Sequence, residues 1–204
     1  MRPYKLGLTG SIGMGKTTTA SMFAAAGIPV FDSDAIVHRL YAKGGAAVES
    51  VGKAFPESLE NGSISRSELS DCLKKDPIGF EKLNAIVHPL VADARADFLE
   101  KVRAEGADLV VFDIPLLFET GSEDQLDGVL VVTAPEAVQR ERVMGREGMT
   151  EEKFTNILFR QLPDAEKRAR ADFIIDTSKG LEPARLAVEG LILHLKASAN
   201  HDTV

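Results

Sequence analysis

The residues with the sharpest chemical spacing lie near the start of the chain. Gly10, Gly15, Lys16 and Thr17 satisfy G-x-x-x-x-G-K-[ST], with Gly13 as a further permissive position inside the loop. Such a loop curls so that successive backbone N–H groups face phosphate oxygens, and the helix that follows adds its positive end. Lys16 then reaches the β- and γ-phosphates, and the Thr17 hydroxyl ligates Mg²⁺. The expected nucleotide-binding run is Gly10, Ser11, Ile12, Gly13, Met14, Gly15, Lys16, Thr17 and Thr18, with ATP and Mg²⁺ as cofactors.

Two carboxylates follow in "VFDSDAIVHRLY". If the chain is still extended through Asp34, a period of two turns Asp32 and Asp34 to the same side, toward the crevice at the strand ends. One would accept a proton from an attacking hydroxyl, and the other would hold Mg²⁺ through water. The competing reading is that one of them caps the next helix. Asp113 closes the apolar run "LVVFD" as a Walker-B acid would, which makes it a candidate for the metal's outer shell.

Six of the twelve arginines fall between Arg140 and Arg170. Arg142 and Arg146 are four apart, the spacing of one helical face, and suit a triphosphate whose charge grows during transfer. Gly145 and Gly148 would let that segment move as a lid over ATP.

The elements that must position these residues are legible as alternating apolar runs and helical stretches. Tyr4–Thr9, Ile28–Asp32, Asp108–Ile114, Gly128–Thr133 and Asp172–Asp176 read as strands covered on both faces. Thr17–Ala26 reads as a helix closed by Gly27, and Pro135 opens another. Ser65 with Glu68 has capping-box spacing, and Asp76-Pro77 reads as a cap followed by a first-turn proline. Pro183 to Ala197 reads as a closing helix with a frayed tail. The repeated β-helix-β order predicts an α/β, three-layer P-loop fold on a five-stranded parallel sheet in one domain. Two stretches exceed that plan: a helical insertion at about 44–106, expected to bind an acceptor, and an Arg-rich lid at about 139–164.

Composition narrows the partners. With 31 acidic and 24 basic residues, net charge −7 and no basic block, the chain is a poor nucleic-acid or membrane-surface binder. The single cysteine, Cys72, excludes an internal disulfide and fits a reducing, cytoplasmic setting. His38, His88, His194 and His201 show no metal-ligand spacing.

Taken together, the segments resemble the dephospho-coenzyme A kinase family, P-loop kinases of the nucleoside-monophosphate-kinase type. "GLTGSIGMGKTT" resembles that family's opening, "LNAIVHPLV" (83–91) its His-Pro helix, and "DIPLLFE" (113–119) its Pro-Leu-Leu-x-Glu segment. The resemblance covers residues 5 to 195 and implies ATP-dependent phosphorylation of the ribose 3′-hydroxyl of dephospho-coenzyme A. It implies Asp34 as general base and Asp32 as its partner near Mg²⁺. Lys16 and Thr17 would hold phosphate and metal, with Arg142 and Arg146 as lid clamp. His88, Pro115 and Leu116 would line the acceptor side, joined by Arg39, which neighbours His38 at a position where many members carry arginine. "ADFIID" (171–176) resembles the strand before the adenine-side turn, and the "DTSKG" turn is expected to contribute backbone contacts. A shikimate- or nucleoside-monophosphate-type acceptor is the rival enzyme reading. A GTP-switched regulator would need Asn-Lys-x-Asp, which does not occur.

Overall fold

The computed structural model describes residues 2–201. Among them, the strands are β1 (Tyr4–Thr9), β2 (Val30–Asp32), β3 (Leu59–Glu60), β4 (Ser63–Ile64), β5 (Leu109–Asp113), β6 (Gly128–Thr133) and β7 (Phe173–Asp176). The helices are α1 (Lys16–Ala25), α2 (Ser33–Tyr41), α3 (Val48–Ala54), α4 (Arg66–Lys75), α5 (Gly79–Ala104), α6 (Glu136–Met144), α7 (Glu151–Phe159), α8 (Asp164–Ala169) and α9 (Leu181–His201). Fraying was expected beyond Ala197; α9 continues through His201, and residues 202–204 lie outside the described residues. The chain forms two compact units: one from the residues up to Phe31 together with those from Val102 onward, the other Asp32–Lys101.

The first unit carries the expected five-stranded parallel sheet, in the order β2-β5-β1-β6-β7. Alternation along the strands explains why the apolar runs are continuous. Leu130 and Val132 pack with Leu6, Leu8, Phe23 of α1 and Val188 and Ile192 of α9. Val129 and Val131, on the opposite face, pack with Leu117, Phe118 and Leu162. The inner strands β5, β1 and β6 therefore bury both faces, the pattern of a parallel sheet between two layers, whereas the edge strand β7 leaves Ile174 half exposed because, among the described residues, no further strand or layer covers that side. The central strand β1 ends at Thr9, and the phosphate loop begins at its C-terminal edge, where open α/β sheets bind ligands. Gly27 has φ +78° and lets the chain turn back after α1.

The second unit is mostly helical. Tyr41, Val51, Phe55, Leu69, Leu73 and Val87 form its core. It also holds an element absent from the sequence reading, the β3–β4 hairpin. Asn61 and Gly62 have φ +50° and +80°, the two positive angles of a type I′ turn, and the Asn-Gly pair was the available signal.

Two caps differ from expectation. Ser65 does precede α4, but its hydroxyl meets Ser67 Oγ at 3.0 Å and caps no backbone amide. The Asp76 carboxylate accepts the Ile78 N–H at 3.0 Å, and α5 begins at Gly79, two residues beyond Pro77.

Candidate active site

The phosphate loop, Gly10 to Thr17, is shaped by its own glycines and by the residues around it. Gly13 and Gly15 have φ +79° and +89°, which only glycine adopts freely. At Gly10 a Cβ would come within 2.7 Å of the Val132 carbonyl oxygen, a backbone atom that cannot step aside. The Ser11 carbonyl accepts the Met14 N–H at 3.1 Å. The amides of Gly13, Gly15, Lys16, Thr17 and Thr18 make no hydrogen bond among the described residues. A run of unengaged donors at the head of a helix is an anion-binding arrangement.

Lys16 Nζ lies 2.5 Å from Asp113 Oδ1, with both side chains largely buried. The acid ending β5 is thus placed beside the loop lysine, as a Walker-B carboxylate would be. The pair holds the ammonium beside the loop. Thr17 is exposed at the first turn of α1.

Arg142 and Arg146 both border a cavity of about 230 Å³, which is also lined by Gly13, Thr18, Thr177 and Gly180. They do not share a helical face: α6 ends at Met144, and Arg146 lies in the turn beyond, because Gly145 and Gly148 break the helix. The Arg142 guanidinium donates 2.8 Å bonds to the Thr177 Oγ1 and carbonyl, so it walls the cavity. Arg146 makes no ion pair among the described residues.

Thr177 does more than the sequence suggested. Its hydroxyl donates to the Met14 carbonyl at 3.0 Å and sits against Gly15, so the turn after β7 supports the loop with a side chain. Gln139 and Gln161, which also bond to the loop, were missed, since neither belongs to a recognisable motif. Ser11 and Met14 help line a second cavity of about 580 Å³ together with Gln139, Gln161 and Asp164.

Pro115 follows Asp113, and its carbonyl accepts the buried Thr9 hydroxyl at 3.2 Å, so the segment passes beside the end of β1. Leu116 is partly exposed there. Asp32, Asp34, Arg39 and His88 belong to the second unit and are exposed. The extended path assumed through Asp34 is not present. The strand stops at Asp32, whose Oδ1 accepts the Ala35 N–H at 2.9 Å and caps α2, leaving Asp34 in the first helical turn. His88 and Pro89 lie inside α5.

The sequence model described as dephospho-CoA kinase matches residues 4–182. The dephospho-CoA kinase of Cereibacter sphaeroides is 54% identical over 98% of this chain and 100% of its own length. That of Rhizobium etli is 53% identical over 94% of both chains. Among solved structures, TT1252 from Thermus thermophilus matches with TM-score 0.83 and 35% identity, over 96% of this chain and 99% of that one. A phosphate loop on a parallel sheet, within a chain the family model matches over residues 4–182, places this protein in the dephospho-CoA kinase family.

Proposed function

We propose that the protein transfers the γ-phosphoryl group of ATP to the ribose 3′-hydroxyl of dephospho-coenzyme A, giving coenzyme A and ADP. One observation carries this reading: the unengaged loop amides and the Lys16–Asp113 pair stand together in a chain with the family's sequence over nearly its whole length. Phosphoryl transfer passes through a loose transition state, so positioning and charge neutralisation dominate. The loop amides and Lys16 cradle the phosphates, and the cavity walled by Arg142 and Thr177 takes the base and ribose of ATP. Arg146 meets charge that develops on the triphosphate.

Asp34 accepts the proton of the attacking hydroxyl. Arg39, His88, Pro115 and Leu116 contact the acceptor. The residues present fit Mg²⁺ in the manner typical of kinases. No cluster of three or more His, Cys, Asp or Glu forms a cage among the described residues, and Mg²⁺ in such sites takes one or two protein groups beside phosphates and water. The Thr17 hydroxyl would be the direct ligand, and Asp113 and Asp32, the latter through Oδ2 because Oδ1 caps α2, would hold the ion through water. The ion would neutralise charge on the phosphates. No helix among the described residues is long and apolar enough to cross a membrane, and a lone cysteine suits a cytoplasmic enzyme.

The test is ADP release from Mg-ATP with dephospho-coenzyme A, shikimate, AMP, CMP or no acceptor. Turnover confined to dephospho-coenzyme A, with the new phosphate on the 3′-oxygen, is expected. Turnover with another acceptor alone would overturn the assignment. Asp34→Asn should lower kcat by about 100-fold or more while ATP still binds. Near-normal kcat in that variant would remove Asp34 as base.

A further inference from the structure

Both backbone groups of Ile12, in the phosphate loop, are held by side chains from outside the loop. Gln139 of α6, 5% exposed, donates its Nε2–H to the Ile12 carbonyl at 2.7 Å. Gln161, just beyond α7, accepts the Ile12 N–H on its Oε1 at 3.0 Å. A trans peptide points its C=O and N–H in opposite directions, and the described residues contain no cis bond. Holding the Ile12 carbonyl against Gln139 therefore aims the Gly13 N–H away from α6. Holding the Ile12 N–H against Gln161 likewise turns the Ser11 carbonyl away, where it takes the Met14 amide. Two peptide planes are fixed by two side chains.

The grip is anchored. Glu119 Oε1 accepts both the Leu162 N–H and the Lys167 ammonium, each at 2.7 Å, and Lys167 is fully buried. The residue next to Gln161 is thus tied to a buried ion pair. At the other end, a Cβ on Gly13 would strike Val143 at 2.6 Å, so the loop is seated directly on α6.

We propose that Gln139 and Gln161 are positioning residues that set the two Ile12 peptide planes, aiming the Gly13 amide into the nucleotide's phosphate site and tying the phosphate loop to both ends of the lid segment. The turnover readout rests on the kinase reading above, whereas the nucleotide-binding readout does not.

The hydrogen-bond polarities give a crossed test. Gln161→Glu keeps an acceptor for the Ile12 N–H, and Gln161→Leu does not. Gln139→Glu sets a carboxylate against the Ile12 carbonyl. Gln161→Leu and Gln139→Glu should each weaken Mg-ADP binding about tenfold in titration calorimetry, and Gln161→Glu should bind within about twofold of wild type. In turnover, kcat should fall in the first two while KM for dephospho-coenzyme A holds. Should Gln139→Glu fail to fold, Gln139→Met removes the donor at similar volume and takes its place. Wild-type Mg-ADP affinity in Gln161→Leu, or Gln161→Glu as impaired as Gln161→Leu, would overturn the proposal. A wild type inert toward dephospho-coenzyme A would sink the acceptor assignment and leave the calorimetric comparison intact.

Discussion

Lys167 carries its charge with no exposure to water and depends on one carboxylate, Glu119. Burial pushes the Glu119 carboxyl up, but hydrogen bonds from Lys167 and the Leu162 amide outweigh it and hold the group below the ordinary glutamate value of 4.5. Removing one partner of a buried pair strands the other, so Glu119→Gln should destabilise by about 3–5 kcal/mol, and adding Lys167→Met should recover most of it. A double variant as unstable as the single one would show that the ammonium is not the source of the cost. The depressed carboxyl also gives a pH signature. Its stabilisation is complete above the unfolded value and disappears as pH falls through the lower folded value. Wild-type Tm should therefore fall more steeply than that of the double variant between about pH 5 and pH 3. Equal slopes would assign the acid sensitivity elsewhere. Neither residue was legible as a pair: 48 positions separate them, and no local pattern links two charges joined only by the packing of the sheet layers. Lys16 was legible, because its spacing from the loop glycines is itself the chemical requirement.

The elements divide in the same way. Short apolar runs between turn signals announce strands, so all five strands of the parallel sheet were expected within two residues of where they lie, although β2 and β7 are covered less fully than the inner three. What failed was geometry set by a single hydrogen bond. Asp32 and Asp34 in an extended chain would face the same way, but the bond from the Ala35 amide to Asp32 starts the helix at Ser33 and breaks that alternation. Arg142 and Arg146 lose their shared face because the helix ends between them. Glycines report which backbone positions are dictated by geometry. Gly27 has open space around its Cβ position and only its φ to resist a side chain, so Gly27→Ala should cost about 1–2 kcal/mol. Gly13 adds contact with Val143 and the Gln139 carbonyl to a similar φ, and Gly13→Ala should exceed that cost by about 1–3 kcal/mol. Chemical denaturation of the two variants makes the comparison. Equal losses would mean that α6 yields to the loop and does not seat it.

At the scale of the molecule, the net charge of −7 would repel a triphosphate, yet half the arginines are gathered between Arg140 and Arg170. All the residues assigned to phosphates and base, Gly13 to Thr18, Arg142, Arg146 and Thr177, belong to the first unit, whereas Asp34, Arg39 and His88 belong to the second. Nucleotide and acceptor should therefore leave separate footprints. At about 100 times its Kd, Mg-ADP stabilises the state it binds by about 2.7 kcal/mol, a rise of roughly 5–10 °C in Tm for a chain of this size. Hydrogen exchange with Mg-ADP should slow the amides of Gly13, Gly15, Lys16, Thr17 and Thr18, which make no hydrogen bond among the described residues, and those of the turn following β7. The β3–β4 hairpin and α4 should exchange as before. Dephospho-coenzyme A should instead slow exchange in α2 and in α5 around His88. Nucleotide protection confined to residues 32–101 would refute the phosphate-site assignment. Acceptor protection confined to the first unit would remove Asp34, Arg39 and His88 from the acceptor's surroundings while leaving the loop's role standing.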